Sequence, residues 1–419
     1  MPAGDGLPVG FGDVERARRA VEEVADRTPV FGSRLLTESL GSPVVYKAEN
    51  LQRTGSFKVR GVANKLDVLG EAARPGIVVA SAGNHAQAAA FVASRRGINC
   101  EVFMPAEASV AKSEATIAYG ATVHLGGADL GECIERALEH ARRHGSVLVH
   151  PYDDPAIIAG QGTLGLELVE DVPDLALVVI PLGGGGLAGG TALAVKTLRP
   201  QVRVIAVQAD KVAPFPPSLR AGSPLEVEKL STLADGIAVN RPGELTLPLV
   251  AEFVDEVVTV AEDEIANAMV LLMERAKLVV EGAGSVGVAA LMNGSVAAPE
   301  RAGTTVVVLS GGNVDTGVLG PAIRRQETRA GRRLVLFARI SDRPGNLARL
   351  LSQVASSGAN IVDVVHLREG FDLHIRETGV HLVLETRNRA HAAVVLAEAL
   401  EAGFNVQAVG HAYAGGQDA

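Results

Sequence analysis

Residues 175–190 read LALVVIPLGGGGLAGG: an apolar run of strand length, a proline, four consecutive glycines and the opening of a helix. Without Cβ atoms in the way, successive backbone N–H groups can converge, and a helix N-terminus adds partial positive charge. The natural occupant of such a loop is a phosphate. The same residues also satisfy a G-x-G-x-x-G spacing at Gly184, Gly186 and Gly189, and the next apolar run ends near Asp210, where dinucleotide-binding folds place a ribose-binding acid. Taken alone, the segment reads as a phosphate cradle, as the fingerprint of a nicotinamide-dependent oxidoreductase, or as a tight turn without a ligand.

Outward from this loop, short apolar runs alternate with amphipathic stretches. Strands are expected at Val44–Lys47, Ile77–Ala80, Cys100–Met104, Thr122–Leu125, Val147–His150, Leu175–Ile180, Val202–Val207, Glu256–Val260 and Thr304–Leu309. Helices are expected over Phe57–Leu69, Asn84–Arg96, Leu130–His144, Ile157–Val169, Leu187–Leu198 and Asp263–Ala276. The alternation predicts an α/β chain of parallel-rich sheets covered by helices, with ligands beyond the carboxyl ends of strands. The polar stretch RRQETRAGRR, residues 324–333, reads as a linker or connecting helix. Beyond it Leu334–Ile340, Asn346–Ser356, Asn360–Leu367, Val380–Glu385, Ala390–Ala402 and Phe404–Val409 spell β-α-β-β-α-β, a ferredoxin-like order. The small, polar tail Ala414–Ala419 is expected to be disordered.

The bulk numbers narrow the classes. A chain of 419 residues exceeds what one core comfortably serves, so two or three domains are expected. The charge of −9, without a basic run interleaved with aromatics, argues against a nucleic-acid partner. Cys100 and Cys133 are the only cysteines, too few for a disulfide framework or a zinc site. No uncharged segment reaches membrane-spanning length, and MPAGDGLPVGFGDVERARRA lacks a basic start followed by an apolar stretch, so the cytoplasm is the expected compartment.

A second stretch, ENLQRTGSFKVRG at residues 49–61, leaves a strand and enters a helix, which places Lys58 in the first helical turn at a sheet edge. Burial and the positive end of a helix both favour a neutral amine there. This stretch resembles the cofactor-lysine motif of the threonine dehydratases, within the tryptophan-synthase-like pyridoxal-phosphate superfamily of fold type II. Ser81-Ala82-Gly83-Asn84-His85-Ala86-Gln87, the tetraglycine loop and Leu309-Ser310-Gly311-Gly312-Asn313 follow in the family's order, with Asp235-Gly236-Ile237-Ala238-Val239 and Glu281-Gly282-Ala283-Gly284. The resemblance spans roughly residues 15 to 325.

The resemblance implies pyridoxal 5'-phosphate as cofactor and elimination of water from threonine, with serine as a secondary substrate. It implies that Lys58 holds the cofactor covalently and later removes the substrate α-proton. Phe57 packs beside the cofactor, and Gly183, Gly184, Gly185, Gly186 and Leu187 cradle its phosphate. Asn84 meets the ring hydroxyl and Ser310 faces the pyridine nitrogen. Ser81, Asn84 and His85 are placed for the substrate carboxylate. A large catalytic domain is expected from residues 1–50 and 151–325, a small one from 51–150, a linker at 326–332 and a further domain at 333–414. Two positions depart from relatives. Serine racemases carry a serinyl base where Ala82 stands, so little racemisation is expected, and Gln208 replaces a glutamate that binds a divalent cation, so no metal site is assigned.

Asp342-Arg343-Pro344-Gly345-Asn346-Leu347 and Ala359-Asn360-Ile361 with His366 resemble an ACT domain, an amino-acid-sensing module. This implies a regulatory site at Asp342, Pro344, Gly345, Asn346 and Asn360, an effector such as isoleucine or valine, and a homo-oligomer, dimer or tetramer, formed by pairing of sheets. A structural dimerisation domain without ligand is the plainer alternative, and His366 is equally a ligand contact or a satisfied strand histidine. Three rivals to the threonine reading stand: a serine-preferring dehydratase, a nicotinamide enzyme that leaves Lys58, Asn84 and Ser310 without a task, and an amino-acid sensor that has lost turnover.

Overall fold

A computed structural model describes residues 6–368 and 373–409, so the tail at 414–419 and the end of the 333–414 domain lie outside the described residues. The chain divides into two compact units, Met1–Val318 and Leu319–Ala419.

The first unit holds two sheets. The larger runs in the order Val30–Gly32, Val44–Lys47, Thr304–Val308, Leu175–Pro181, Arg203–Ala209 and Glu256–Val260. Only the first pair is antiparallel. The smaller, all parallel, runs Thr122–Leu125, Cys100–Met104, Ile77–Ala80 and Val147–Leu148. Every residue of Leu175–Pro181, Ile77–Ala80 and Thr304–Val308 is buried, as parallel strands covered on both faces require. The chain leaves the larger sheet after Lys47, builds the smaller one, and returns through the helix Pro155–Asp171. That excursion puts a cleft between the two sheets.

Two features hold the cleft walls. The helices Pro155–Asp171 and Gly186–Leu198 touch backbone to backbone: a Cβ on Gly162 would lie 2.9 Å from Gly190 O, and one on Gly165 2.7 Å from Thr191 O. Much of the glycine excess thus serves close helix packing, which any added methyl would pry apart. Behind the helix Lys58–Leu69 lies a buried ionic cluster. Arg60 donates to Glu49 at 2.8 Å and to Glu167 at 2.7 Å, while Lys47 meets Glu167 at 2.6 Å and Asp171 at 3.1 Å. The side chains of Arg60, Glu49 and Lys47 are fully buried. Burial opposes each charge, yet the partners outweigh it, so Glu49 sits below and Arg60 above its ordinary range.

The strands expected from sequence are present, with informative differences at their ends. Val147–His150 stops at Leu148 because the His150 ring folds back: its Nδ1 accepts from Tyr152 N and, at 2.7 Å, from Asp153 N, turning the chain out of the sheet. The run Asp263–Ala276 divides into the helix Glu262–Leu271 and a wider π turn, Leu272–Ala276, that ends at Lys277 with φ +61°. The helix Gly282–Met292, buried on all sides, has no amphipathic period to announce it.

The second unit is a four-stranded antiparallel sheet ordered Asn360–Leu367, Glu377–Glu385, Arg333–Ser341 and Asn405–Ala408. Leu334, Leu336, Leu382 and Leu384 meet Leu350, Val354 and Val395 from the helices Asn346–Ser356 and Arg389–Glu401 in one core. This is the ferredoxin-like order read from the sequence. Residues 324–329 of the polar stretch belong to the helix Thr316–Arg329, and the strand begins at Arg333.

Candidate active site

Phe57 N donates to Ser310 O at 3.1 Å, which pins the start of the helix Lys58–Leu69 to the chain just past the central strand. Lys58, the first helical residue, therefore points into the cleft, its Nζ 5.1 Å from the Phe57 ring and donating to Pro151 O at 2.8 Å. Burial pulls its pKa down to about 8, with the Glu281 carboxylate partly opposing. At pH 7 roughly a tenth of such an amine is neutral and nucleophilic, far more than of an ordinary lysine.

The cleft encloses about 640 Å³, enough for a cofactor and a small substrate together. Phe57, Lys58, Ser81, Asn84, His85, Gly183, Gly184, Gly185, Gly186, Leu187 and Ser310 all line it, so the structure brings together every residue expected there. Ala82 lines it too. The glycine loop can be nothing else. Gly185 has φ +96°, a Cβ on Gly183 would sit 3.0 Å from Ile237 Cα, and one on Gly184 would fall within the Tyr152 ring. Thr246 Oγ1 donates to Gly184 O at 2.6 Å, and the first donor inside the following helix is Gly189, to Gly185 O. The N–H groups before it form the open N-terminus that an anion would fill.

On the opposite wall, Asn84 opens its helix and donates to Glu281 Oε1 at 2.7 Å. Ser81 Oγ accepts from Gly83 N at 3.2 Å. His85 Nε2 is tied to Val149 O at 2.9 Å, and burial with the nearby Lys58 charge drives its pKa down to about 3. The ring is thus neutral, a donor at Nε2, with Nδ1 a buried acceptor that has no partner among the described residues. Gln161 Oε1 is a second unpartnered acceptor on the same cavity. Orphaned groups of this kind call for a polar occupant. Glycine N–H groups for a phosphate, a depressed lysine for an aldehyde and a buried serine for a ring nitrogen fit pyridoxal phosphate.

The family model for pyridoxal-phosphate-dependent enzymes matches residues 21–311. The chain belongs to that family. It is 43% identical to the L-threonine ammonia-lyase of Thermotoga maritima over 95% of this chain and 99% of that protein. The processed form of threonine deaminase isoform 2 from Solanum lycopersicum superposes with a TM-score of 0.70 at 31% identity, covering 77% of this chain and 97% of that one. Serine racemase from Dictyostelium discoideum does so with 0.69 at 36%, covering 74% and 100%. About a quarter of this pyridoxal-phosphate-dependent enzyme lies outside each of these two superpositions. The nicotinamide reading of Gly184, Gly186 and Gly189 falls with the family assignment.

The structure also supplies residues whose tasks no motif states. Glu281 has its pKa raised to about 7 by burial and by Asp235, against the pull of Asn84, Lys112 and Lys58. Lys112 Nζ meets Asp235 Oδ2 at 2.7 Å across the cleft mouth. Glu281 and Asp235 lay in recognised segments, but their partners stand 123 to 197 residues away in the chain. Gln208 is occupied by the fold: its Nε2 donates to Leu182 O at 3.2 Å and its Oε1 accepts from Phe215 N at 3.1 Å.

In the C-terminal unit, Gly345 caps the helix Asn346–Ser356 with φ +91°, and Asn346 Nδ2 donates to Ser341 O. Asp342 lies 3.8 Å from Arg368, just past His366, whose Nε2 is buried and has no partner among the described residues. Asn360 departs from the expected cluster. It pairs with Glu385 at the Arg333 end of the sheet, whereas Asp342 follows Ser341 at the other end.

Proposed function

We propose that this enzyme eliminates water from L-threonine to give 2-oxobutanoate and ammonia, with L-serine to pyruvate as a side activity. The observation that carries the reading is Lys58: a half-buried amine with a pKa of about 8, facing one cavity with a glycine anion cradle and Ser310. The similarity to threonine ammonia-lyase along nearly the whole of both chains supports the choice of substrate.

Bound pyridoxal phosphate supplies an electron sink that makes the α-proton of a joined amino acid acidic. The residues do the rest. Gly183 to Leu187 hold the phosphate, and Asn84, Ser81 and His85 bind the ring oxygen and substrate carboxylate. Lys58, as the neutral amine, takes the α-proton. Ser310 presents a neutral hydroxyl to the ring nitrogen, which leaves that nitrogen without a proton donor as strong as a carboxylic acid and favours prompt loss of the β-hydroxyl. The resulting enamine hydrolyses to the 2-oxo acid and ammonia. Ala82 offers no second base, so reprotonation from the other side is not served and racemisation stays minor.

The C-terminal unit is read as an ACT-like regulator. Its ligand site is the Asp342–Asn346 turn with His366 and Arg368 beside it, its effector isoleucine or valine, and its setting a cytoplasmic homo-oligomer, dimer or tetramer. The glycine-capped helix start and the orphaned His366 nitrogen support that reading. The test is 2-oxo-acid release from threonine and serine, with and without isoleucine or valine. Threonine turnover that disappears in Lys58→Ala is the expected result; turnover retained in Lys58→Ala removes Lys58 from the mechanism.

A further inference from the structure

Asn84 is gripped from two sides. Its Oδ1 accepts from Asn313 Nδ2 at 2.8 Å, and its Nδ2 donates to Glu281 Oε1 at 2.7 Å. The sense of this relay is fixed at its far end, where Asn313 Nδ2 also donates to the backbone carbonyl of Thr54 at 2.8 Å. A backbone carbonyl only accepts, so the Asn313 atom facing it is nitrogen, and the Asn84 atom facing that nitrogen is oxygen. A carboxamide has one oxygen and two N–H groups. With the oxygen and one N–H engaged, Asn84 has a single N–H left for the cavity it lines.

We propose that Asn313 is a positioning residue: by holding the Asn84 carbonyl it makes Asn84 a donor toward the cofactor ring oxygen, and so selects that oxygen in its ionised form. The proposal rests on the functional reading, in which Asn84 faces the ring oxygen of pyridoxal phosphate. A hydrogen bond donated to an anion lowers the pKa of its acid, whereas an offered carbonyl raises it. Glu281 completes the device as the acceptor that keeps the Asn84 nitrogen from turning away.

Asn313→Asp tests it, because the near-isosteric carboxylate accepts where the amide donated and turns the Asn84 amide around. The readouts are pyridoxal-phosphate affinity of cofactor-stripped protein and the pH midpoint of the bound cofactor's absorption band. In Asn313→Asp the affinity should fall by about ten-fold or more, the worth of a hydrogen bond to a charged group, and the midpoint should move upward. In an Asn84→Ala background the same substitution should add nothing, since the effect passes through Asn84. Asn313→Ala, which removes the donor without adding charge, should move both readouts the same way by less, and serves if the aspartate variant does not fold. Wild-type affinity and midpoint in the Asn313 variants, or an undiminished effect without the Asn84 amide, overturns the proposal alone. Wild-type protein that binds no pyridoxal phosphate overturns the functional reading and the relay with it.

Discussion

Lys58 and Glu281 share one low-dielectric cavity, and each titrates far from its ordinary value for the same reason. Glu281, raised from an ordinary 4.5 to about 7, holds its proton more tightly folded than unfolded. Its contribution to stability is complete below pH 4.5 and is lost as pH rises toward 7, about 3 kcal/mol in the cofactor-free protein. Glu281→Gln should abolish that decline, so denaturant unfolding at pH 4.5 and 7 should differ by clearly less in the variant; an unchanged difference would place the burden on other groups. At this scale the sequence was partly legible. Lys58, Asn84 and Ser310 stood in recognisable strings, whereas the work of Glu281 and Asn313 depends on partners brought up from distant chain. A string of letters names such residues without saying what they touch.

Elements were more readable than single contacts. Strand positions such as Ile77–Ala80 and Cys100–Met104 follow from unbroken apolar runs, because both faces of a parallel sheet are covered. The helix Gly282–Met292 was hard to see for the complementary reason: burial on every side erases the periodic signal. The end of Val147–Leu148 depended on a histidine side chain capping backbone N–H groups, which no apolar pattern encodes. The helix that carries Lys58 is anchored on its far side by Arg60. Replacing Arg60 with Met leaves Glu49 buried without its guanidinium partner, while Lys47 still meets Glu167, and should cost about 3–5 kcal/mol of unfolding free energy. Chemical denaturation measures this directly; a loss below about 1 kcal/mol would mean water enters the cluster when the guanidinium leaves.

Across the whole molecule, an α/β unit bears the chemistry and a ferredoxin-like unit follows it in sequence. Each has its own core, and every cavity-lining residue lies within Met1–Val318. Removing residues from Arg332 onward should therefore leave 2-oxo-acid release from threonine within a few-fold of the intact enzyme and abolish any response to isoleucine or valine. Rate measurements on both proteins check this; a response that survives truncation would move the effector site into the catalytic unit. The β-α-β-β-α-β order was legible because alternating strands and the amphipathic helix Asn346–Ser356 follow one another over short distances. The site it frames was less so. Asn360 resembled a partner of the Asp342 turn, yet an eight-residue strand, about 26 Å of extended chain, carries it to the opposite end of the sheet.

The most direct test is reduction of the purified holoprotein with borohydride, followed by peptide mass analysis. Yellow protein should bleach, and the cofactor's mass should be found on the peptide containing Lys58 and on no other. Protein that stays colourless after pyridoxal phosphate is added, and carries no added mass at Lys58 after reduction, would contradict the account at its centre.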